Sequence, residues 1–162
     1  MTAEQIWKAF CRAGVSHVVG LPDTQTDRIF ARTMGPGPIV VTVCREGEAF
    51  GIAAGLWAGG QHPVVLCQNT GLFEAGDALR SIHLELAVPL DLVIGWRGRS
   101  GKLNAGYSDT ATELLVPTLD AWRVPYDVID DDGPTAAVDR LTALLEQTSH
   151  RERGCRVILL PQ

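Results

Sequence analysis

The sequence lacks most of the short patterns that announce a familiar site. Its four cysteines, Cys11, Cys44, Cys67 and Cys155, are scattered and form no CxxC pair, and its histidines, at 17, 62, 83 and 150, show no metal-ligand spacing. There is no GxGxxG and no GxxxxGK[ST], so dinucleotide and P-loop phosphate cradles are unsupported, and no GxSxG nucleophile elbow occurs. Basic runs are absent and the net charge is −5, which argues against nucleic acid as a partner. The opening MTAEQIWKAF has no basic segment followed by an apolar one, and no apolar run reaches the roughly 20 residues that span a bilayer. A cytoplasmic chain with reduced thiols is expected, free of membrane, with Cys44 and Cys67 buried at strand ends. Cys67 stands near a turn, as a nucleophile would, but no histidine pairs with it, and a structural cysteine is the better reading.

What is present is a full core: 46% of the 162 residues are apolar, enough for one domain over residues 1–162. Short apolar runs alternate with helical patterns. Helices are predicted over residues 2–13, 25–33, 46–58, 71–85, 112–122 and 134–148. Strands are predicted over 16–20, 39–43, 63–67, 89–95, 125–129 and 156–160. Such alternation implies an α/β fold, a doubly wound, mainly parallel six-stranded sheet with helices on both faces. Ligands bind beyond the carboxyl ends of strands in such sheets. The informative loops are therefore 21–25, 44–46, 68–74 and 96–102, which bring Thr24, Glu46, Asn69 and Arg97 to one rim.

The most unusual stretch is REGEAFGIAAGLWAG, residues 45–59. Glu46 shares a helix face with Ala49, Phe50, Ala53 and Trp57, while Glu48 points elsewhere, among Gly51, Ile52, Gly55 and Leu56. A helix apolar all round is expected to be buried, and a carboxylate there needs a reason. Two readings stand: a cap for first-turn amides, or a proton-holding group that tunes a cofactor. Gly47, Gly51, Gly55 and Gly59 recur every four residues, at about 1 kcal/mol each relative to alanine. Close approach of another backbone or of a flat ligand would offset that cost, and a helix–helix contact, possible between subunits, is the better reading.

These residues resemble the carboxylate and small-residue helix of the pyrimidine-binding (PYR) domain of thiamine-diphosphate decarboxylases, nearest the group acting on phosphonopyruvate and sulfopyruvate. Four further segments agree in order: VGLPDT (19–24), QNTGL (68–72), GWRG (95–98) and VPTLDAWRVPY (116–126). The resemblance implies that Glu46 bonds the pyrimidine N1′ and exchanges a proton there, so that the cofactor can lose its thiazolium C2 proton and attack a 2-oxo acid. It also implies that Pro22, Gln68, Asn69, Thr70 and Gly71 lie against the cofactor, an ordinary turn being the less favoured reading of 68–70. Asp23 and Thr24 would face the substrate, with Arg97, helped by Arg99 and Lys102, clamping a phosphonate or sulfonate; a plain basic surface loop is the other reading of these three. Gly47, Gly51 and Gly55 would pack between paired PYR domains.

Two departures stand out. Where close relatives have a small residue and asparagine, this chain has Phe73 and Glu74, a ring and a negative charge beside an anion pocket. No GDG occurs; Asp130-Asp-Asp-Gly133 precedes a helix instead. The resemblance therefore implies an α subunit whose Mg²⁺ and diphosphate are held by a PP-domain β subunit carrying GDG and a downstream asparagine, in an α2β2 or larger assembly with a second copy of this chain. The expected activity is decarboxylation of an anionic 3-substituted pyruvate, phosphonopyruvate before sulfopyruvate. The alternatives are a carboligase or acyl-transfer subunit, and a non-catalytic interaction module.

Overall fold

The computed structural model describes residues 1–24, 26–32, 36–99, 109–129, 133–150 and 153–161. In chain order the elements are α1 (Ala3–Arg12), β1 (His17–Gly20), α2 (Asp27–Phe30), β2 (Ile39–Thr42), α3 (Glu46–Ala58), β3 (Pro63–Gln68), α4 (Asn69–Glu74), α5 (Gly76–Arg80), a π-helical turn Ser81–Glu85, β4 (Asp91–Trp96), α6 (Thr110–Ala121), β5 (Tyr126–Val128), α7 (Pro134–Glu146) and β6 (Arg156–Pro161). The six strands form one sheet in the order β2-β1-β3-β4-β6-β5, every pair parallel. This is the doubly wound fold expected from the alternation.

The strands read as unbroken apolar runs because both faces are covered. Val19, Val65, Cys67, Leu92, Ile94, Val157 and Leu159 pack beneath α3 to α6, whereas Val18, Val64, Leu66, Val93, Ile158 and Leu160 pack beneath α1, α2 and α7. Local signals start the helices: Thr2 and Gln5 form a capping box on α1, Asp109 caps α6 through Ala111 N–H, and Pro134 opens α7 after Gly133 at φ +101°.

Some boundaries differ from expectation. The helix predicted over 71–85 begins two residues earlier and is interrupted at Ala75, then winds into the π-helical turn. That turn is pinned by His83. Cys155 N–H donates to its Nδ1 at 2.9 Å, so Nε2 carries the proton and faces Arg123 O at 3.1 Å. The helix predicted over 25–33 is described only as Asp27–Phe30, and residues 25 and 33 lie outside the described residues.

A buried ion pair lies at the N-terminal ends of two inner strands, away from the rim. Asp91 at the start of β4 meets Arg156 at the start of β6 at 3.2 Å; Thr148 bonds the same carboxylate, and Gln147 and Leu144 O accept from the guanidinium. Each interrupts an apolar strand in sequence, and the parallel register sets them side by side. Such a pair is costly to break singly because the other charge is left buried. Among the described residues no helix is long and apolar enough to cross a membrane, and no group of His, Cys, Asp or Glu could hold a metal ion.

Candidate functional site

The chain leaves β1 toward β2 on one side and leaves β3 toward β4 on the other, so the direction of winding reverses between β1 and β3. The crevice at such a reversal is where doubly wound sheets bind ligands. The loop after β1 supplies Pro22, Asp23 and Thr24. The connection after β2 supplies Arg45 and Glu46, and the turn after β3 supplies Gln68 to Gly71. β1 and β3 approach closely at this end, where a Cβ on Gly20 would collide with the carbonyl of Leu66.

Glu46 opens α3 and is half-buried. Its carboxyl lies over Gly71: a Cβ on Gly71 would fall 2.5 Å from Glu46 Oε1 and 2.9 Å from Cδ. Among the described residues no hydrogen bond or salt bridge engages this carboxylate. The capping tasks at the start of α3 are done by two other acids. Glu48 Oε2 accepts from Cys44 N–H at 3.1 Å, and Glu74 Oε2 accepts from Gly47 N–H at 2.9 Å. Of the two readings open for the paired carboxylates, Glu48 takes the cap and Glu46 does not.

Glu74 is not aimed at an anion pocket. Its Oε1 binds Arg45 Nε and Nη2 at 2.8 and 2.6 Å, and these contacts, led by the Gly47 amide, hold its carboxyl below the usual range. Cys67, next to last in β3, is buried. Burial pushes its thiol well up, and the negative charges of Glu46 and Asp23 add to the shift. It is a neutral packing group and no nucleophile. Cys44, expected to be buried, is exposed, because the chain leaves the sheet one residue earlier, at Val43.

Asn69 is fully buried and braces the turn: its amide donates to Arg97 O at 3.3 Å, and its Oδ1 accepts from Thr70 N–H at 3.1 Å. Thr24, Pro22 and Thr70 are exposed, and Asp23 and Gln68 are half-buried. Asp23 Oδ1 accepts from Thr26 N–H and Thr26 Oγ1 from Asp23 N–H, a reciprocal turn closure. Arg97 is held by Asp109, with Nε and Nη2 at 3.0 and 2.8 Å from one carboxylate oxygen, and Arg99 stacks over the Trp96 ring at 4.9 Å. Lys102 lies outside the described residues. The structure thus brings Asp23, Glu46, Cys67 and Gly71 together, and ties Asn69 to Arg97 through the backbone.

Only one face of α3 is buried by this chain. Ala49, Phe50 and Ala53 pack inward, while Gly51, Gly55 and Trp57 are exposed, Trp57 by 41%. The expectation of all-round burial is corrected: among the described residues nothing covers the outer face. Sequence reading missed Glu74 and Asp109 as partners of Arg45 and Arg97, since the pairs lie 29 and 12 residues apart and no local pattern links them.

No protein-family model matches the chain. It is 31% identical over 130 residues to phosphonopyruvate decarboxylase of Streptomyces hygroscopicus, covering 71% of this chain and 32% of that protein. It is 28% identical over 102 residues to sulfopyruvate decarboxylase subunit alpha of Methanothermobacter thermautotrophicus, covering 62% of each. The chain thus spans about a third of the length of the first relative and under two thirds of the second. In three dimensions it matches benzoylformate decarboxylase of Polynucleobacter necessarius with a TM-score of 0.71 and 21% identity, over 99% of this chain and 30% of that one. The chain is a homologue of the phosphonopyruvate and sulfopyruvate decarboxylases, built on the PYR-type fold of thiamine-diphosphate enzymes.

Proposed function

We propose that this chain is the PYR-domain subunit of a thiamine-diphosphate-dependent 2-oxo acid decarboxylase, a carbon–carbon lyase active only with a partner. The observation that carries the reading is the Glu46 carboxyl, set over Gly71 at the winding reversal and unclaimed by any hydrogen bond among the described residues. A group that must bond an incoming ring needs that vacancy, whereas a structural carboxylate at a helix start would be spent on amides. The residues present therefore fit the cofactor.

When bound, the cofactor supplies the electron sink for loss of CO₂. This chain's task is narrower. Glu46 would hold or lend a proton to the cofactor's ring from its place at the start of α3. Gly71 leaves room for the carboxyl and for a flat ring. Pro22, Gln68, Asn69 and Thr70 form the adjoining wall, and Asn69 acts by holding the turn rigid. Asp23 and Thr24 face the substrate. Arg97 enters the substrate pocket by exchanging Asp109 for an anionic group on the substrate.

The metal and diphosphate half falls to a PP-domain β subunit, carrying GDG and a downstream asparagine; the name of the methanogen relative, a subunit alpha, supports a divided enzyme. The exposed outer face of α3, with Gly51 and Gly55, supports pairing with a second copy, giving α2β2 or a larger assembly. The preferred substrate is phosphonopyruvate, then sulfopyruvate.

Co-expression with a neighbouring reading frame that encodes the PP half, followed by addition of thiamine diphosphate and Mg²⁺, tests this. CO₂ release is expected from phosphonopyruvate or sulfopyruvate and not from 2-oxo acids that lack a second anionic group. A ligation product in place of CO₂ would point to a carboligase. Glu46→Gln should lower turnover by at least about a hundredfold while the assembly persists; full activity in that variant removes Glu46 from the chemistry.

A further inference from the structure

Three acids crowd the start of α3, and they divide the work. Glu48 takes the Cys44 amide. Glu74 reaches across from the end of α4 and takes both the Gly47 amide and the Arg45 guanidinium. Glu46, between them, takes neither, although Arg45 feels its charge. Remove Glu74, and a backbone N–H and a cation one residue from Glu46 lose their partner. Glu46 is the carboxylate still free to fill that place, and filling it means leaving Gly71.

We propose that Glu74 is a positioning residue for Glu46: by occupying the Gly47 amide and Arg45, it keeps the Glu46 carboxyl over Gly71 and turned into the crevice. The proposal rests on the reading of Glu46 given above. It assigns a task to the one acidic departure from the family pattern in the 68–74 turn. The Glu74 contact also ties the first turn of α3 to the end of α4, five residues after Asn69, which joins the start of α4 to Arg97. The two loops that flank the crevice are thereby linked by side chains on both sides of Gly71. A surface ion pair alone contributes little, and salt screens it. The Gly47 amide fixes where the Glu74 carboxylate points, so the effect is one of direction more than of stability.

The test uses Glu74→Ala, Glu74→Gln and the double variant Arg45→Ala/Glu74→Ala, in the chain alone and in the reconstituted complex. In the chain alone, a nuclear Overhauser contact between the Glu46 Hγ and Gly71 Hα protons reports the carboxyl's place. It is expected in the wild type, lost in Glu74→Ala and restored in the double variant, where the cation that draws Glu46 away is gone. Glu74→Gln, which keeps an acceptor for Gly47, should fall between. In the complex, kcat of Glu74→Ala should drop about tenfold or more with KM for the 2-oxo acid little changed, and the double variant should recover most of it. A residue serving only stability would show no such recovery. If the Glu46–Gly71 contact survives in Glu74→Ala, the proposal is overturned. If the contact behaves as expected but turnover does not follow it, positioning stands and the catalytic reading of Glu46 fails.

Discussion

Gly71 and Glu46 are in direct contact: the Cβ that Gly71 lacks would lie 2.5 Å from Oε1 of Glu46 and 2.7 Å from its Cγ. No real Cβ sits so close to a neighbour, so the two residues specify one another. A side chain at 71 forces the carboxyl at 46 to move.

Gly71→Ala should therefore displace Glu46 without unfolding the chain. Overpacking of this kind costs about 1–3 kcal/mol, and a misplacement of about 1 Å in a reacting group can cost about a hundredfold in rate. The expected outcome is a folded protein with a modest fall in its denaturation midpoint and a collapse of turnover in the reconstituted enzyme. Wild-type turnover in Gly71→Ala would mean that the position of the carboxyl is unimportant.

Gly51→Leu separates folding from assembly. A Cβ there meets nothing within 4 Å, so the isolated chain accepts the substitution. Leucine is the better helix former by up to about 1 kcal/mol. The chain alone should gain stability while losing its ability to pair through α3, read by size-exclusion chromatography with light scattering. Normal assembly of this variant would show that the outer face of α3 is not the contact.

The four thiols should divide into two pairs. Cys11 and Cys44 are exposed, whereas Cys67 and Cys155 are buried, with burial and two nearby carboxylates raising the Cys67 thiol. Iodoacetamide on the native protein should label the first pair, and mass spectrometry should find the second pair unlabelled until denaturant is added. Rapid labelling of Cys67 would contradict its burial.

His62 gives the fold a pH dependence. Burial lowers its affinity for a proton, with a hydrogen bond at Gly14 working in the opposite direction. The unfolded chain then takes up the proton first as pH falls through about 6.5, so stability drops from there down through the folded pKa and levels off below it. Substitution by Gln should flatten the denaturation midpoint measured between about pH 7 and pH 5.5 relative to wild type. Equal slopes for the two proteins would rule out this role.

Much of this was legible without coordinates. The two-sided burial of the sheet is written into the unbroken runs of β3, β4 and β6, and the rim follows from alternation alone. The carboxylate at 46 stood out because charge is rare at the head of so apolar a helix. The π-helical turn at Ser81–Glu85 was not legible, because it is held by His83 through Cys155 and Arg123, both distant in sequence. Nor could periodicity tell that Gly51 and Gly55 face outward, since glycine carries no side chain to mark a buried face.

The sequence by itself determined the fold class, the rim and the pair of acids at the head of α3, because hydrophobic periodicity and strand-end loops are local properties. Which acid caps and which stays free was decided only in three dimensions. Glu46, Glu48 and Glu74 are chemically alike, and their division of labour depends on where Gly47, Arg45, Cys44 and Gly71 fall once β1, β2 and β3 lie side by side.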